Sequence, residues 1–265
     1  MQYVMLNTGA KMPMVGFGTW QLRGEAGKNT ILTALEVGCR LLDTAQMYEN
    51  ERIVGQAIGE SGLPRREIFV TTKLHEPNAS YEKAKAGIAR SLETLKLDYV
   101  DLLLIHEPYD AALEMYEACK EALENGTARA IGISNFSAQE YEDFLKNCGI
   151  VPAVNQVESH VYHPRRELKE ILNAHGTVMQ GWAPFTQGRR SIFEDPVLNA
   201  VAHRHGKTAA QIALKYLVQC GIPVIPKSSS RERMMENLHI FDFTLDDRDL
   251  MEIGALDQKT SLFGW

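Results

Sequence analysis

Short apolar runs alternate with longer amphipathic ones along nearly the whole chain. The short runs are MVGFGT (14–19), CRLLDTA (39–45), EIFVTTKL (67–74), YVDLLLIH (99–106), ARAIGIS (128–134), PAVNQVE (152–158), TVMQGWA (177–183) and IPVIPK (222–227). Each has the length of a buried strand. Helical periodicity fills the gaps, over 25–37, 50–60, 80–96, 111–125, 137–147, 164–174 and 208–219, with another helix near 230–238. Ser80, Asp110, Ser137, Pro164 and Thr208 mark helix starts, as caps or first-turn residues. Gly38, Gly126, Gly149, Gly176 and Gly221 mark helix ends. Ahead of these units, MQYVMLNTGAKMPMVGFGTW alternates around a central NTG, which predicts a β-hairpin. After them, TLDD opens an extra helix over 246–254, and a short tail runs to Trp265.

Eight such units in 265 residues predict one (β/α)8 barrel domain spanning 1–265, with the N-terminal hairpin and the C-terminal helix added. An open doubly wound sheet is the alternative. It calls for a glycine-rich turn running straight into a helix after the first strand. GFGTWQLRG has two of the glycines, lacks the third and leads into no immediate helix, so we set that alternative aside.

Composition narrows the function. A hydrophobic share of 45% supports a large core, and a net charge of −6 argues against a nucleic-acid binder. The basic pairs at Arg65–Arg66, Arg165–Arg166 and Arg189–Arg190 are dispersed and read as solvated surface. Cys39, Cys119, Cys148 and Cys220 form no CxxC and read as unpaired thiols of a reducing compartment. His203 and His205 are two apart and do not share a helix face, so no metal is expected. The N-terminus does not read as a signal peptide and no window approaches a membrane span, which predicts a cytoplasmic protein.

In such barrels the chemistry sits at the C-terminal ends of the strands. Those ends carry Thr19 and Trp20, Asp43 with Tyr48, Lys73 and His75, His106 and Glu107, Ser134 and Asn135, Gln156 with Glu158, Trp182, and Lys227 with Ser228. An acid, a phenol, an ammonium and an imidazole thus fall on three consecutive strands. Any one of them has an ordinary structural explanation; together they describe proton chemistry. A phenol near pKa 10 is a weak acid at neutral pH, and a neighbouring ammonium lowers that value. A carboxylate offsets the cost of burying the ammonium. Tyr48, Lys73 and Asp43 therefore read as acid, modifier and counter-charge, with His106 orienting a carbonyl oxygen. Independently, PKSSSRERMMEN places Lys227 at a strand end and Ser228, Ser229 and Ser230 at a helix start, with Arg233 beyond, an arrangement suited to a phosphate.

The motifs GFGTW, LLDTAQMYENE, TTKL, LLLIH, RAIGISNF, NQVE, APF and IPKSSSRERMMENL, in this order, resemble the aldo-keto reductases over nearly the whole chain. HGKTAAQIALKYL and FDFTLDDRDL are most similar to the bacterial branch that contains the 2,5-diketo-D-gluconate reductases. The resemblance implies a catalytic tetrad of Asp43, Tyr48, Lys73 and His106 and an extended NADPH, donating its 4-pro-R hydride to a small-molecule carbonyl. Ser134, Asn135 and Gln156 would hold the nicotinamide amide, and Trp182 would stack on its ring where the family usually has Tyr. Gly18, Thr19, Asp43, Pro184, Phe185, Gln187, Lys227, Ser228, Ser229, Arg233, Glu236 and Asn237 would complete the cofactor site. Trp20, Tyr48, His75, His106 and Glu107 would line the substrate pocket. A monomer is expected.

Three departures bear on specificity. Ser230 stands where some relatives carry a further Arg, which predicts some tolerance of NADH. His106-Glu107-Pro108 replaces the family's His-Trp-Pro, exchanging an aromatic wall for a carboxylate. The following loop and the tail after Asp257 are short. Together the last two predict an open, shallow, polar pocket that disfavours anionic keto-acids. A nicotinamide-binding regulatory subunit of the same fold and a sugar-phosphate isomerase on a similar barrel are the competing readings.

Overall fold

The computed structural model describes residues 2–264; Met1 of the predicted hairpin and Trp265 of the predicted tail lie outside the described residues. Strands β1 (Tyr3–Met5) and β2 (Lys11–Pro13) pair antiparallel as the expected hairpin. Seven parallel strands follow in chain order: β3 (Phe17–Gly18), β4 (Leu41–Asp43), β5 (Phe69–Leu74), β6 (Leu102–Ile105), β7 (Ile131–Ser134), β8 (Val154–Glu158) and β9 (Val178–Trp182). The eighth position is where expectation and structure differ. IPVIPK forms no ladder; Val224 alone bridges Val15 on one side and Gly181 on the other, closing the ring. Pro223 and Pro226 lack N–H groups, which leaves Val224 and Ile225 between them as donors, to the Met14 and Gly181 carbonyls. The shortness of β3, its neighbour across this seam, follows from the same cause. A Cβ on Gly18 would stand 3.0 Å from the Ile225 carbonyl oxygen, so the close approach there needs glycine.

Helices α1 (Gly24–Glu36), α2 (Glu51–Glu60), α3 (Tyr81–Leu95), α4 (Ala112–Glu124), α5 (Ala138–Leu145) and α6 (Arg166–Ala174) lie where the periodicity puts them. A seventh, α7 (Pro196–His205), was not expected, although its signal is present. The Asp195 carboxylate accepts from the backbone N–H groups of Val197 and Leu198, and Pro196 occupies the first turn. Then come α8 (Ala209–Gln219), α9 (Arg231–Leu238) and α10 (Asp247–Gly254), the last being the extra C-terminal helix. Ser80, Ser137 and Thr208 cap as expected, the last two in reciprocal capping boxes. Asp110 does not: α4 is preceded by Ala111 and has no side-chain cap. Pro164 lies outside α6, which is entered through Arg165 in a left-handed conformation.

The period-two pattern of the strands divides two cores. Leu41, Leu102, Leu104, Ala130 and Val154 face the barrel interior, while Leu42, Leu103, Ile105, Ile131 and Ile133 face the helices. Leu6 and Met12 of the hairpin region are buried in the interior cluster and plug the floor. Each contributes roughly 1.5–3 kcal/mol of burial. The interior is thereby filled from below, and its upper end is left for polar side chains.

Candidate active site

Asp43 ends β4 and Lys73 lies one residue before the end of β5, both essentially inaccessible at 1% and 0% exposure. The Lys73 ammonium donates to Asp43 Oδ1 at 2.5 Å, to the Thr44 carbonyl at 3.2 Å and to the Tyr48 hydroxyl at 3.2 Å. Burial disfavours the ammonium, but Asp43 and Tyr48 outweigh it and hold its pKa above the ordinary lysine value. Asp43 uses its second oxygen to accept from Gln156 Nε2 at 2.7 Å. The same amide nitrogen donates to Gln180 Oε1 at 2.8 Å, so a polar chain crosses the barrel from β5 to β9.

Tyr48 comes from a 3₁₀ turn, Gln46–Tyr48, that leaves β4 and leads into α2. Gln46 fixes this turn. Its Nε2 donates to the Gly87 carbonyl and to Ser91 Oγ, and its Oε1 accepts from the His75 N–H and from Asn78 Nδ2. Asn50 holds the far side, donating to the Thr19 carbonyl at 2.8 Å and accepting from Thr44 Oγ1 at 2.7 Å. Asn50 and Glu51 are thus structural: buried Glu51 accepts from Thr72 Oγ1.

The expected lowering of the Tyr48 pKa is not met. Burial raises it, Lys73 pulls it down, Asp43 pushes it up, and the balance lies above the ordinary phenol value. The carboxylate that keeps Lys73 charged also opposes the phenolate.

His106 follows β6, and its ring meets that of Tyr48 edge to face at 5.6 Å. Burial and the nearby Lys73 cation push its pKa down to about 2, so the imidazole is neutral throughout the physiological range. Its Nδ1 is buried with no hydrogen-bond partner among the described residues. A neutral imidazole has one N–H to give. It orients an oxygen; it does not supply a proton as imidazolium.

These groups open on a cavity of about 690 Å³, also lined by Gly18, Trp20, Glu107, Ser134, Asn135, Gln156, Trp182, Pro184, Phe185, Gln187 and Lys227. Asn135 donates to the His106 carbonyl at 3.3 Å and accepts from the Trp182 indole N–H at 2.8 Å, and Ser134 Oγ donates to the Gln156 carbonyl at 2.7 Å. Lys227 finds only the Trp20 carbonyl at 3.2 Å and Gln21 Oε1 at 3.4 Å, and burial lowers its pKa. It makes no ion pair among the described residues. Beyond it, Ser230 caps α9 and Ser228 Oγ accepts from the Ser230 N–H. Arg231 is committed to Glu36, whereas Arg233 is exposed and forms no salt bridge among the described residues. Ser229, Arg233, Glu236 and Asn237 stand along this helix start outside the cavity itself.

Two further expected site residues, besides those at the start of α9, do not line the cavity. Thr19 is fully buried and ties its hydroxyl to the Asp43 carbonyl at 2.9 Å, and His75 turns into the short helix Glu76–Asn78 away from the cavity lining. Conversely, Met47, Arg189 and Phe263 line it unannounced. Phe263 packs edge-on against Trp182 at 5.0 Å, and the Arg189 guanidinium lies 4.2 Å from its ring centroid. The tail is pinned by buried Glu158, which accepts from Ser261 Oγ, from the Leu262 N–H at 2.8 Å and from His160. The short tail therefore reaches the cavity after all. Its walls are aromatic on several sides, and the expected polar character survives in Glu107, which forms no salt bridge among the described residues.

A barrel with a buried ion pair, a phenol and a neutral imidazole at the C-terminal ends of its strands, under an indole-walled cavity, fits an oxidoreductase of carbonyl groups. The chain belongs to the aldo/keto reductase family, whose sequence pattern matches residues 14–258, and nicotinamide cofactors serve that family generally. It is 38% identical over 257 residues to the glyoxal reductase of Bacillus subtilis, covering 96% of this chain and 92% of that one. It is also 38% identical over 257 residues to an aldo-keto reductase of Mycolicibacterium smegmatis, covering 96% and 93%. A solved aldo-keto reductase from a Medee basin deep-sea metagenome superposes with a TM-score of 0.95 at 39% identity, over 98% of this chain and 97% of that one.

Proposed function

We propose that the protein is an NADPH-dependent reductase of aldehydes and ketones in which Tyr48 delivers the proton. The observation that carries this is the fully buried Lys73 ammonium, bonded at once to Asp43 and to the Tyr48 hydroxyl. The cofactor, when bound, supplies the hydride that reaches the carbonyl carbon. Neutral His106 gives its N–H to the carbonyl oxygen and turns it toward Tyr48. The Tyr48 proton then moves to that oxygen, and Lys73 stabilises the phenolate left behind. A phenol of raised pKa still serves, because the acceptor is a developing alkoxide, a far stronger base.

The residues present fit the cofactor. Lys227 is a partly desolvated cation without a counter-ion, next to the hydroxyls of Ser228 and Ser229 and the free fork of Arg233. Trp182 offers a ring face beside the amides of Asn135 and Gln156 and the Ser134 hydroxyl. Glu236 and Asn237 lie further along α9, toward an adenine. Lys227 and Arg233 favour a phosphorylated ribose, while Ser230, occupied as a helix cap, adds no charge, so some tolerance of NADH remains.

The unpaired Glu107 carboxylate in the cavity favours small neutral aldehydes over keto-acids. Glyoxal, the substrate in the name of the Bacillus subtilis relative, is such a compound. The enzyme acts as a cytoplasmic monomer and needs no nucleic acid or membrane.

Turnover of a carbonyl panel with NADPH and with NADH tests this. Tyr48→Phe is expected to lower turnover about a hundredfold to ten-thousandfold. NADPH affinity, read by Trp182 quenching, is retained. Full turnover by that variant refutes the proton donor. An unchanged preference between neutral and anionic carbonyls in Glu107→Trp refutes the substrate class. Tight NADPH binding with no carbonyl reduced points instead to a regulatory subunit.

A further inference from the structure

A second cleft lies at the opposite end of the barrel from the tetrad. It measures about 830 Å³ and opens between the hairpin and the N-terminal rim of the strands. Its floor is built from four consecutive strand entrances. Arg40 immediately precedes β4, Arg66 stands in the short helix Arg65–Glu67 that enters β5, Asp101 precedes β6, and Arg129 lies two residues before β7. Backbone hydrogen bonds hold these entrances side by side, from the Phe69 N–H to the Arg40 carbonyl at 2.7 Å, from Asp101 to Val70 at 2.9 Å and from Arg129 to Val100 at 3.0 Å. At about 4.8 Å per strand they form an arc of about 14 Å. Lys11 of β2 faces the arc from the hairpin side.

The charges on this arc do not cancel. Four cations line the cleft against two carboxylates, Glu67 and Asp101. Asp101 is already committed: Oδ2 accepts from Arg65 at 2.7 Å and from the Val70 N–H at 3.0 Å, and Oδ1 accepts from Arg129 at 3.4 Å. Arg65 and Arg129 also lie 4.1 and 3.8 Å from the Tyr99 ring centroid, so two guanidiniums share one carboxylate and one ring. Lys11, Arg40 and Arg66 form no salt bridge among the described residues. Arg40 spends one nitrogen on the Leu35 and Cys39 carbonyls, which fixes the side chain at the rim. A concave region of positive charge on a chain of net charge −6 concentrates anions locally, even though the molecule as a whole repels them.

We infer that this cleft is a second binding site, separate from the catalytic one, for a small multiply charged anion of the phosphate class. Planar guanidinium forks from neighbouring strands match the oxygens of such a group, and Lys11 closes over it as a mobile point charge. Tyr3, 52% exposed at the hairpin edge, offers flat apolar surface to whatever the phosphate is attached to. The cleft volume lies in the range of small-molecule sites. None of these residues touches the tetrad, so occupancy there does not compete with cofactor.

The test is titration calorimetry with inorganic pyrophosphate on the whole protein in saturating NADP⁺, which removes the Lys227 region as a competing site. One saturable site is expected, weakening as salt is raised. The double variant Lys11→Ala, Arg66→Ala should keep the unliganded melting temperature and carbonyl turnover and lose about tenfold or more in pyrophosphate affinity, as expected for two charge-assisted contacts. No saturable binding in the presence of NADP⁺ overturns the proposal. Binding that the double variant leaves unchanged also overturns it, because the anion then sits elsewhere.

Discussion

Asp43→Asn isolates the central ion pair of the site, since it removes a charge while keeping the shape. In the native protein the Lys73 ammonium, fully buried, stands 2.5 Å from the Asp43 carboxylate. Taking away one partner of a buried pair leaves an uncompensated charge, at a cost of about 3–5 kcal/mol. The pH dependence reveals more than the size. Lys73 has a folded pKa above its unfolded value, so its contribution is fully present below pH 10.5 and is lost as pH rises through the folded pKa. Tyr48, also raised, has the same sign, so native stability falls with pH on the alkaline side. In Asp43→Asn, burial is left as the leading influence on Lys73 and its folded pKa drops below the unfolded one. The unfolded chain then holds the proton more tightly, and stability rises with pH up to about 9, where Tyr48 is still protonated in both states. Urea unfolding of both proteins at a series of pH values between neutral and about 9 reads this directly. A variant within about 1 kcal/mol of the parent at neutral pH, and as flat as the parent across this range, refutes the pairing as the organising interaction of the site.

Other consequences are open to simple measurement. Because His106 is neutral down to about pH 2, the pH profile of kcat/KM should show no histidine ionisation between pH 5 and 8, and an inflection near 6.5 that disappears in His106→Phe contradicts this. Gly132→Ala should lower stability by about 1–3 kcal/mol in urea, as its Cβ would stand 2.4 Å from the Val154 carbonyl oxygen inside the barrel; unchanged stability means that strand β8 can yield there. Burial raises the Glu158 carboxyl, but His160, Ser261 and the Leu262 N–H together hold its pKa below the ordinary value. Its contribution is therefore present above about pH 4.5 and lost as pH falls through the folded pKa. Glu158→Gln should release the tail, speeding tryptic cleavage after the already exposed Lys259 and shifting Trp182 emission as Phe263 leaves; cleavage as slow as the parent's shows that other contacts hold it.

Much of the barrel was legible because its signals are local. The alternation in DLLLIH assigns Leu102 and Leu104 to the inside and Leu103 and Ile105 to the helices without reference to any other segment. The tetrad was legible because strand ends in a parallel barrel share one face. What escaped depends on partners distant in sequence. Glu158 was visible as a strand-end acid, yet nothing near it announces Leu262, 104 residues later, as its donor. Gln46 lies between two named residues, but its role depends on Gly87 and Ser91 of α3. The rise in the Tyr48 pKa escaped for a different reason: it is a balance of burial and two opposite charges, and sequence gives the charges without the burial. Helix α7 is the exception, since Asp195-Pro196 announced it locally.

The closure of the ring through Val224 has a mechanical consequence. Every other junction between neighbouring strands is a ladder, whereas here the short stretch Pro223–Pro226 joins β9 to β3 through one bridging residue, Val224, and a few backbone hydrogen bonds. A circle with one thin joint does not breathe evenly; it gapes at that joint first. The amides of Gly16 and Gly181, which bond to the carbonyls of Val224 and Pro223, should exchange with solvent sooner than those of β5 and β6. Trp182 stands on one lip of the gap, Gly18 on the other and Lys227 just past the middle. Whatever lies across all three would clasp the hoop shut, and the loosest seam of the empty protein would become the one most tightened by its load.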